Sequence, residues 1–137
     1  MAEDTEAPAG TGTVRQKEEQ EHPFGTERIP IFTPEGYDTG GTLYMGAVVE
    51  QFREDVRWDG HNWISTATGN QFNHEQINRT RRGKYYLVKW SQWEGVRTRA
   101  VALSLAEVAL WVIRAGYLPA DCGDPELAAK VKELLDQ

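Results

Sequence analysis

Few residues of this chain could bind a metal, and their spacing does not suit one. The candidates are His22, His61, His74 and Cys122. His74-Glu75 begins like the zinc-binding pattern HExxH, but Asn78 stands where a second histidine would have to face the same ion. The sequence therefore predicts no metal site and no other cofactor.

Residues for covalent or acid–base catalysis are equally sparse. Cys122 lies between Asp121 and Asp124, and nearby carboxylates raise a thiol pKa, which opposes formation of a reactive thiolate. The pattern Gly-x-Ser-x-Gly is absent, and the hydroxyl-rich residues 66–70 lack the spacing of a phosphate-binding loop. An enzyme needs polar groups that converge in one pocket, and the best candidates, spread over two predicted loops, are His61, Asn62, His74 and Glu75. We therefore expect a protein that is not an enzyme.

Residues 79–99 concentrate positive charge beside aromatic rings, with seven bases against Glu94 alone. Basic side chains neutralise phosphates, and aromatic faces stack on unpaired bases. The alternative is that the aromatic rings fill the core while the bases keep an outer sheet face soluble. The candidate contacts for a nucleic acid or another partner are Arg79, Arg81, Arg82, Lys84, Lys89, Trp93, Arg97 and Arg99.

The elements that must position these residues begin with strands. Side chains alternate from Lys84 to Trp90, which predicts a strand, and Val96 to Leu103 is expected to return beside it. Asp59-Gly60 predicts a hairpin, because glycine accepts the positive φ of a tight turn. Residues 43–53 are ambiguous between strand and helix, and their glycine and valine pair favour a strand.

Two helices are predicted after the strands. Ser104 and Glu107 form a capping box for a helix that ends before Gly116. Asp124-Pro125 opens a second helix that runs to about Leu135. All five tryptophans fall in this part of the chain and are expected to supply a core. The fold class is α+β, with a small antiparallel sheet of hairpins followed by two C-terminal helices.

Charge divides the chain into an arm and a domain. Residues 1–40 carry nine acidic and three basic side chains, so they hold the whole formal charge of −6. Residues 1–22 contain no aromatic ring and one branched aliphatic, too little apolar surface to offset a backbone ordering cost of roughly 1–2 kcal/mol per residue. We predict a disordered acidic arm over 1–40, within which 23–34 are candidates to dock, and a single α+β domain over 41–137.

The composition also indicates a compartment. A single cysteine permits no intrachain disulfide, which fits a reducing environment. There is no apolar signal region and no run of 18 apolar residues. We expect a cytoplasmic protein that does not enter a membrane.

Two stretches resemble known proteins. Residues 85–93 resemble the core string of chromodomains, but Gly95-Val96-Arg97 follows where that pattern needs other residues, so no methyl-lysine cage can be assembled and no histone-reader role is assigned. Residues 56–116, with Trp-Ser-Gln-Trp-Glu-Gly and Glu-Val-Ala-Leu-Trp-Val among their strings, resemble small bacterial proteins of unknown function, some of them on mobile elements. This resemblance implies a bacterial, plasmid or phage setting and no particular activity.

The leading hypothesis is a non-enzymatic binding or regulatory protein that acts by contact with another protein, such as an accessory or inhibitory factor of a mobile element. The candidate contacts are Phe24, Ile29, Ile31 and Phe32, together with the apolar face of the last helix. The alternative is a nucleic-acid-binding module that uses the basic aromatic hairpin of residues 79–99. The sequence leaves the oligomeric state open.

Overall fold

A computed structural model describes residues 24–136 of the chain. Within that range the strands are β1 (Arg28–Phe32), β2 (Asp38–Tyr44), β3 (Val48–Arg53), β4 (Val56–Trp58), β5 (Trp63–Ser65), β6 (Asn73–Thr80), β7 (Tyr85–Ser91) and β8 (Arg99–Leu103). Two helices follow, α1 (Leu105–Arg114) and α2 (Pro125–Leu135). The arm predicted to be disordered lies outside the described residues as far as residue 23.

Six strands form one sheet in the order β2-β1-β8-β7-β6-β3, and β4 pairs with β5 in a separate two-stranded ribbon. In a flat sheet the outermost strands would lie about 24 Å apart, at about 4.8 Å per strand. The outermost strands β2 and β3 are nevertheless joined by Met45–Ala47 alone, which spans at most about 15 Å between Tyr44 and Val48. The sheet must therefore curl into an open barrel whose edges approach each other at this corner.

The inside of the curled sheet holds one apolar cluster, which we call the inner cluster. Its buried members are Ile29, Leu43, Met45, Val48, Val88 and Ala100. Phe24, Tyr86 and Trp90 pack against it. The corner is closed by backbone hydrogen bonds from Met45 N–H to the Glu27 carbonyl at 3.0 Å and from Arg81 N–H to the Ala47 carbonyl at 2.9 Å.

Both helices cover the outer face of the sheet, where they form the main core. Its buried side chains are Phe52, Ile77, Tyr85, Val108, Ala109, Trp111, Val112, Leu127 and Val131. Ser104 and Glu107 make the reciprocal hydrogen bonds of a capping box, which also lower the pKa of the Glu107 carboxyl. Asp124 Oδ1 accepts from Glu126 N–H and caps α2. The predicted α+β fold and both helix starts are thus confirmed.

The strand predictions needed several corrections. The domain's first strand begins at Arg28, so the boundary predicted at residues 40 and 41 falls inside β2. β1 pairs with β8 in parallel, so the sheet is mixed rather than purely antiparallel. Residues 43–53 form the end of β2, a 3-10 turn and β3. The return strand begins at Arg99 and not at Val96, and β6 occupies a segment with no predicted strand.

The apolar residues expected to meet a partner are mostly inside the fold. Ile29 is buried, and Phe24, Ile31 and Phe32 are partly buried because β1 lies between β2 and β8. The apolar face of α2 packs in the main core through Leu127 and Val131. These residues therefore do not form an exposed contact surface in this structure.

The tryptophans do not all contribute to a core. Trp111 is buried, and Trp90 is partly buried against the inner cluster. Trp58, Trp63 and Trp93 are 55%, 61% and 57% exposed. Neither helix of the described range is long and apolar enough to cross a membrane.

Candidate functional site

The ribbon β4–β5 presents two tryptophans to solvent. Trp58 and Trp63 are cross-strand partners whose ring centroids lie 5.3 Å apart at an interplanar angle of 58°. Val56, on the same strand as Trp58, is also exposed. Trp is an enriched residue in the energetic centres of protein interfaces. An exposed, mutually packed pair of this kind is therefore a candidate contact site.

The tip of the ribbon is held by one aspartate. Asp59 Oδ1 accepts hydrogen bonds from His61 N–H and Asn62 N–H, both at 2.8 Å. These donors, the Asn62 N–H first, lower the pKa of the Asp59 carboxyl. Gly60 has φ +106°, which is why Asp-Gly could be identified as a turn from the sequence. The loop spans four residues, and it fixes the two tryptophans opposite each other.

The base of the ribbon is fastened to the main sheet by Glu54. Its Oε1 accepts from the Ser65 hydroxyl at 2.7 Å and from Glu75 N–H at 2.8 Å. Its Oε2 lies 2.5 Å from His74 Nδ1. Because a carboxylate only accepts hydrogen bonds, Nδ1 is the donor in this pair. One side chain thus connects the end of β3, the ribbon and the start of β6.

His74 is largely enclosed, although it belongs to the lining of a cleft of about 360 Å³. Its ring stacks on Trp90 with centroids 5.5 Å apart, and its side chain is 14% exposed. Its Nε2 is buried and has no hydrogen-bond partner among residues 24–136. Nδ1 is held by Glu54 and Nε2 is enclosed, so neither ring nitrogen is open to solvent in this structure.

The four residues nominated for catalysis do not converge. His61 and Asn62 are exposed at the tip of the ribbon, whereas His74 and Glu75 lie on β6 and not in a loop. Glu75 Oε1 accepts from Trp111 Nε1 at 2.7 Å, which connects the sheet to α1. The structure therefore does not bring His61 or Asn62 together with His74 and Glu75.

The basic segment 79–99 is divided by the fold instead of forming one surface. Arg79 Nε donates to Glu50 Oε1 at 2.9 Å, with side chains 21% and 17% exposed, so this base is internally paired. Arg81, Arg82 and Lys84 lie at the β6–β7 turn. The remaining candidates, Lys89, Trp93, Arg97 and Arg99, lie towards the other end of β7 and on the following loop and strand.

The first group lines a cleft of about 560 Å³ at the closed corner of the sheet. We call this cleft the basic mouth, and its charged and aromatic lining consists of Arg28, Arg81, Arg82, Lys84, Tyr44 and Tyr86. No acidic side chain belongs to its lining among the described residues. Arg28 Cζ lies 4.5 Å from the centroid of the Tyr44 ring. Tyr86 is one of the aromatic rings of the basic segment, whereas Arg28 and Tyr44 were not predicted, since they come from strands far from it in sequence.

The second group lies where two smaller clefts of about 360 and 340 Å³ adjoin. Lys89 and Arg99 are direct cross-strand partners, and both line these clefts together with Arg97. Within the described part of the chain none of the three makes an ion pair. Glu75 lies opposite Lys89 on its other side and offsets part of the charge. Trp93 packs on Phe72 with centroids 4.5 Å apart.

Cys122 is not activated. Burial, then the charges of Glu50, Asp121 and Asp124, raise the pKa of its thiol. The direction agrees with the sequence analysis, although the largest cause is burial and not the neighbouring aspartates. Among residues 24–136 no group of three or more His, Cys, Asp or Glu side chains could hold a metal ion.

Comparisons with protein-family models, curated proteins and solved structures found no match for this chain. The function is therefore argued from the surfaces described above. Three surfaces of the described range stand out for their exposed aromatic or basic side chains. They are the ribbon β4–β5, the basic mouth, and the two clefts lined by Lys89, Arg97 and Arg99.

Proposed function

We propose that this chain is a non-enzymatic binding protein that acts by contact with another protein, through the ribbon β4–β5. The observation that carries the proposal is the exposed pair of Trp58 and Trp63, held on a ribbon that is fixed at both ends. A single exposed apolar side chain needs no explanation, but two packed tryptophans beside Val56 form a patch of the kind that marks interaction sites.

Rigidity is what makes this surface suitable for binding. Asp59 holds the tip and Glu54 holds the base of the ribbon, and the two indole rings pack on each other, so they lose less freedom than isolated side chains when a partner covers them. Ordering each mobile side chain at an interface costs about 0.5–1.5 kcal/mol, and a preformed surface avoids most of that cost. The partner is expected to offer an apolar groove with polar groups at its rim.

The test begins with capture of proteins from a bacterial lysate on immobilised full-length chain, and its decisive step uses a purified captured protein. Trp58→Ala combined with Trp63→Ala should weaken the dissociation constant at least about 30-fold, the factor that corresponds to a hot-spot loss of about 2 kcal/mol. Circular dichroism of the variant checks that the domain still folds, which we expect because both rings are exposed.

The matched control is Trp93→Ala, since Trp93 is exposed to a similar degree but lies outside the ribbon. It should leave the dissociation constant within about threefold, a difference of less than 1 kcal/mol. If the captured protein binds the double variant as tightly as the wild-type chain, the ribbon is not the contact surface and the proposal fails.

A second candidate function is nucleic-acid binding, favoured by the composition of the basic mouth. The four bases and two tyrosines of its lining, which holds no acidic side chain from residues 24–136, could contact phosphates and stack on a base. Fluorescence anisotropy with labelled oligonucleotides at low and moderate salt tests it. Arg82→Glu with Lys84→Glu should abolish binding, whereas Lys130→Glu with Lys132→Glu on α2 should change it little. Equal effects of the two pairs would indicate unspecific attraction.

The biological setting is a more specific part of the proposal, and its support comes from the sequence alone. The resemblance to small bacterial proteins from mobile elements suggests an accessory or inhibitory factor in the cytoplasm. Identification of the captured protein tests this part, because a partner encoded outside any mobile element would contradict it.

A further inference from the structure

We propose that the two clefts beside Lys89, Arg97 and Arg99 form a binding site for a small phosphorylated ligand, whose phosphate group is held by these three bases. We call the three residues the shared bases, because each of them lines both clefts. This inference concerns a different surface from the ribbon and does not depend on the proposed protein partner.

The middle of the sheet positions the shared bases. Lys89 on β7 and Arg99 on β8 lie directly opposite each other, and both strands are interior strands of the six-stranded sheet. Side chains opposite each other on antiparallel strands have Cβ atoms about 4.5–5.5 Å apart, so two of the positive charges start close together. Arg97 lies two residues before Arg99, in the loop that leads into β8. Strands hold side chains more precisely than loops do, which favours a defined site.

The head groups of the shared bases have no partner within residues 24–136. In that range no hydrogen bond or ion pair involves the Lys89 amine or the guanidinium groups of Arg97 and Arg99. The guanidinium of Arg79, by contrast, is occupied by Glu50. The N–H donors of the shared bases are therefore available to an external anion.

Two carboxylates also line the clefts but do not pair with the shared bases. Glu75 lies opposite Lys89, and its Oε1 accepts from Trp111 Nε1 at 2.7 Å, so this carboxylate is engaged by α1. Glu35, in the turn between β1 and β2, lines the smaller cleft and forms no ion pair in the described part of the chain. Like charges directly opposite each other on paired strands are destabilising, and a bound anion offsets that cost.

The types of the three bases favour a phosphate over a carboxylate. A phosphate monoester carries about 1.5 to 2 negative charges at pH 7 and has three strong acceptor oxygens. An arginine guanidinium presents paired N–H donors that match phosphate oxygens, and a lysine adds a point charge. Two arginines and one lysine can therefore supply a charged donor to each of the three oxygens, whereas a carboxylate would bring a single charge.

The size and lining of the clefts indicate a small ligand. Their volumes of about 360 and 340 Å³ lie near the lower end of the range for ligand pockets, about 300–1,000 Å³. In the larger cleft Trp90 provides apolar surface, and Asn73 and Ser91 provide polar groups. The Ser91 hydroxyl accepts from Trp93 N–H at 3.1 Å and still has its own proton to donate. These groups suit the polar body of a sugar phosphate or a related monoester.

Isothermal titration calorimetry of the full-length chain at constant ionic strength tests the site. The probes are inorganic phosphate, which is the anion alone, and ribose 5-phosphate, which adds a polar body. We expect saturable binding of both, with a dissociation constant at least about tenfold lower for ribose 5-phosphate. Equal affinities would overturn the assignment to a phosphorylated molecule and leave free phosphate as the ligand.

Paired substitutions test the role of the shared bases. Arg97→Gln combined with Arg99→Gln should weaken the binding of ribose 5-phosphate at least about tenfold. The matched control is Arg82→Gln with Lys84→Gln, which removes the same charge from exposed side chains at the basic mouth and should change the dissociation constant less than about twofold. Circular dichroism checks that both variants fold.

Nuclear magnetic resonance locates the bound anion without reference to its affinity. The backbone amides of Lys89 and Arg99 should shift during titration with inorganic phosphate, whereas those of Gly83 and Lys84 should not. The inference is overturned if neither probe shows saturable binding, if both variant pairs weaken binding equally, or if the shifts occur only at the basic mouth. Failure of the ribbon to bind a protein would affect none of these readouts.

Discussion

Glu54 Oε2 lies 2.5 Å from His74 Nδ1, and the same carboxylate accepts two further hydrogen bonds from Ser65 and Glu75. Glu54 and His74 are twenty residues apart in the sequence. Through its three hydrogen bonds the Glu54 carboxylate joins three segments that are otherwise linked by loops. The ribbon that carries the tryptophan pair therefore depends on a side chain that lies outside it.

Replacement of this carboxylate should destabilise the domain. Glu54→Ala removes the acceptor of three hydrogen bonds and leaves their donors unpaired in a half-buried site, so we expect a loss of about 2–4 kcal/mol in the free energy of unfolding. Urea denaturation measures the change. Glu133→Ala serves as the control, because its pair with Lys130 is largely exposed and should contribute less than about 0.5 kcal/mol. Equal losses in both variants would contradict the role of Glu54.

Substitutions of Arg79 and Arg82 should differ in their effect on the stability of the domain, although both residues belong to the predicted basic surface. Arg79→Ala leaves Glu50 without its partner in a mostly buried pair, and we expect a loss of about 1–3 kcal/mol in the free energy of unfolding. Arg82→Ala should change stability by less than about 0.5 kcal/mol, since the side chain is exposed. Thermal and urea denaturation of both variants check the contrast. A stability loss confined to Arg82→Ala would show that the division of the surface is wrong.

Tyr85 should make the folded domain less stable at alkaline pH. Burial, then hydrogen-bond donation to Asp124 Oδ2 at 2.9 Å, raise the pKa of its phenol far above the ordinary value. In the unfolded chain the phenol ionises near pH 10, so the neutral form is favoured by folding. The stabilisation is complete below about pH 10 and decreases as the pH rises further, because only the unfolded chain then releases the proton.

The measurement is the free energy of unfolding between about pH 8 and pH 11, compared with Tyr85→Phe, which carries no ionisable group at this position. The wild-type chain should lose stability above about pH 10 more steeply than the variant. Tyr37 is exposed, and Tyr37→Phe is therefore the control that should leave the slope unchanged. Parallel curves for wild type and Tyr85→Phe would refute the assignment.

The helices and the ribbon could be predicted because their signals are local. Ser104 with Glu107 and Asp124 with Pro125 start helices by chemistry that acts within four residues. Asp59-Gly60 likewise specifies a turn without reference to the rest of the fold. Such short-range signals need no knowledge of the topology.

β1 and β6 could not be predicted in the same way. Pro30 argues against a strand, yet it is tolerated because the register shifts between Pro30 and Phe32, where an irregularity interrupts the pairing with β2. β6 lacks apolar alternation, since buried Asn78 takes one core position next to Ile77. His74, Glu75 and Arg79 bond to Glu54, Trp111 and Glu50, partners that only the tertiary structure supplies.

The candidate sites were predicted only in part for the same reason. The sequence shows that positive charge is concentrated in the basic segment, but it does not show how the fold divides that charge. In the structure Arg79 forms an ion pair with Glu50, and the other bases lie towards opposite ends of β7. The exposure of Trp58 and Trp63 could not be predicted from the sequence. The sequence signals of a hairpin are the same whether it joins the main sheet or, as here, forms a separate two-stranded ribbon.

The parallel pairing of β1 with β8 has a consequence for the order of folding. Ile31 pairs with Ala100, so β1 cannot complete its hydrogen bonds until most of the domain has been synthesised. Contacts so distant in sequence form slowly, because a long loop must close first. Until then the β1–β2 hairpin has a free edge, which invites pairing with other nascent chains. The proline in β1 lacks an N–H donor and reduces that risk during synthesis, before the native neighbour arrives.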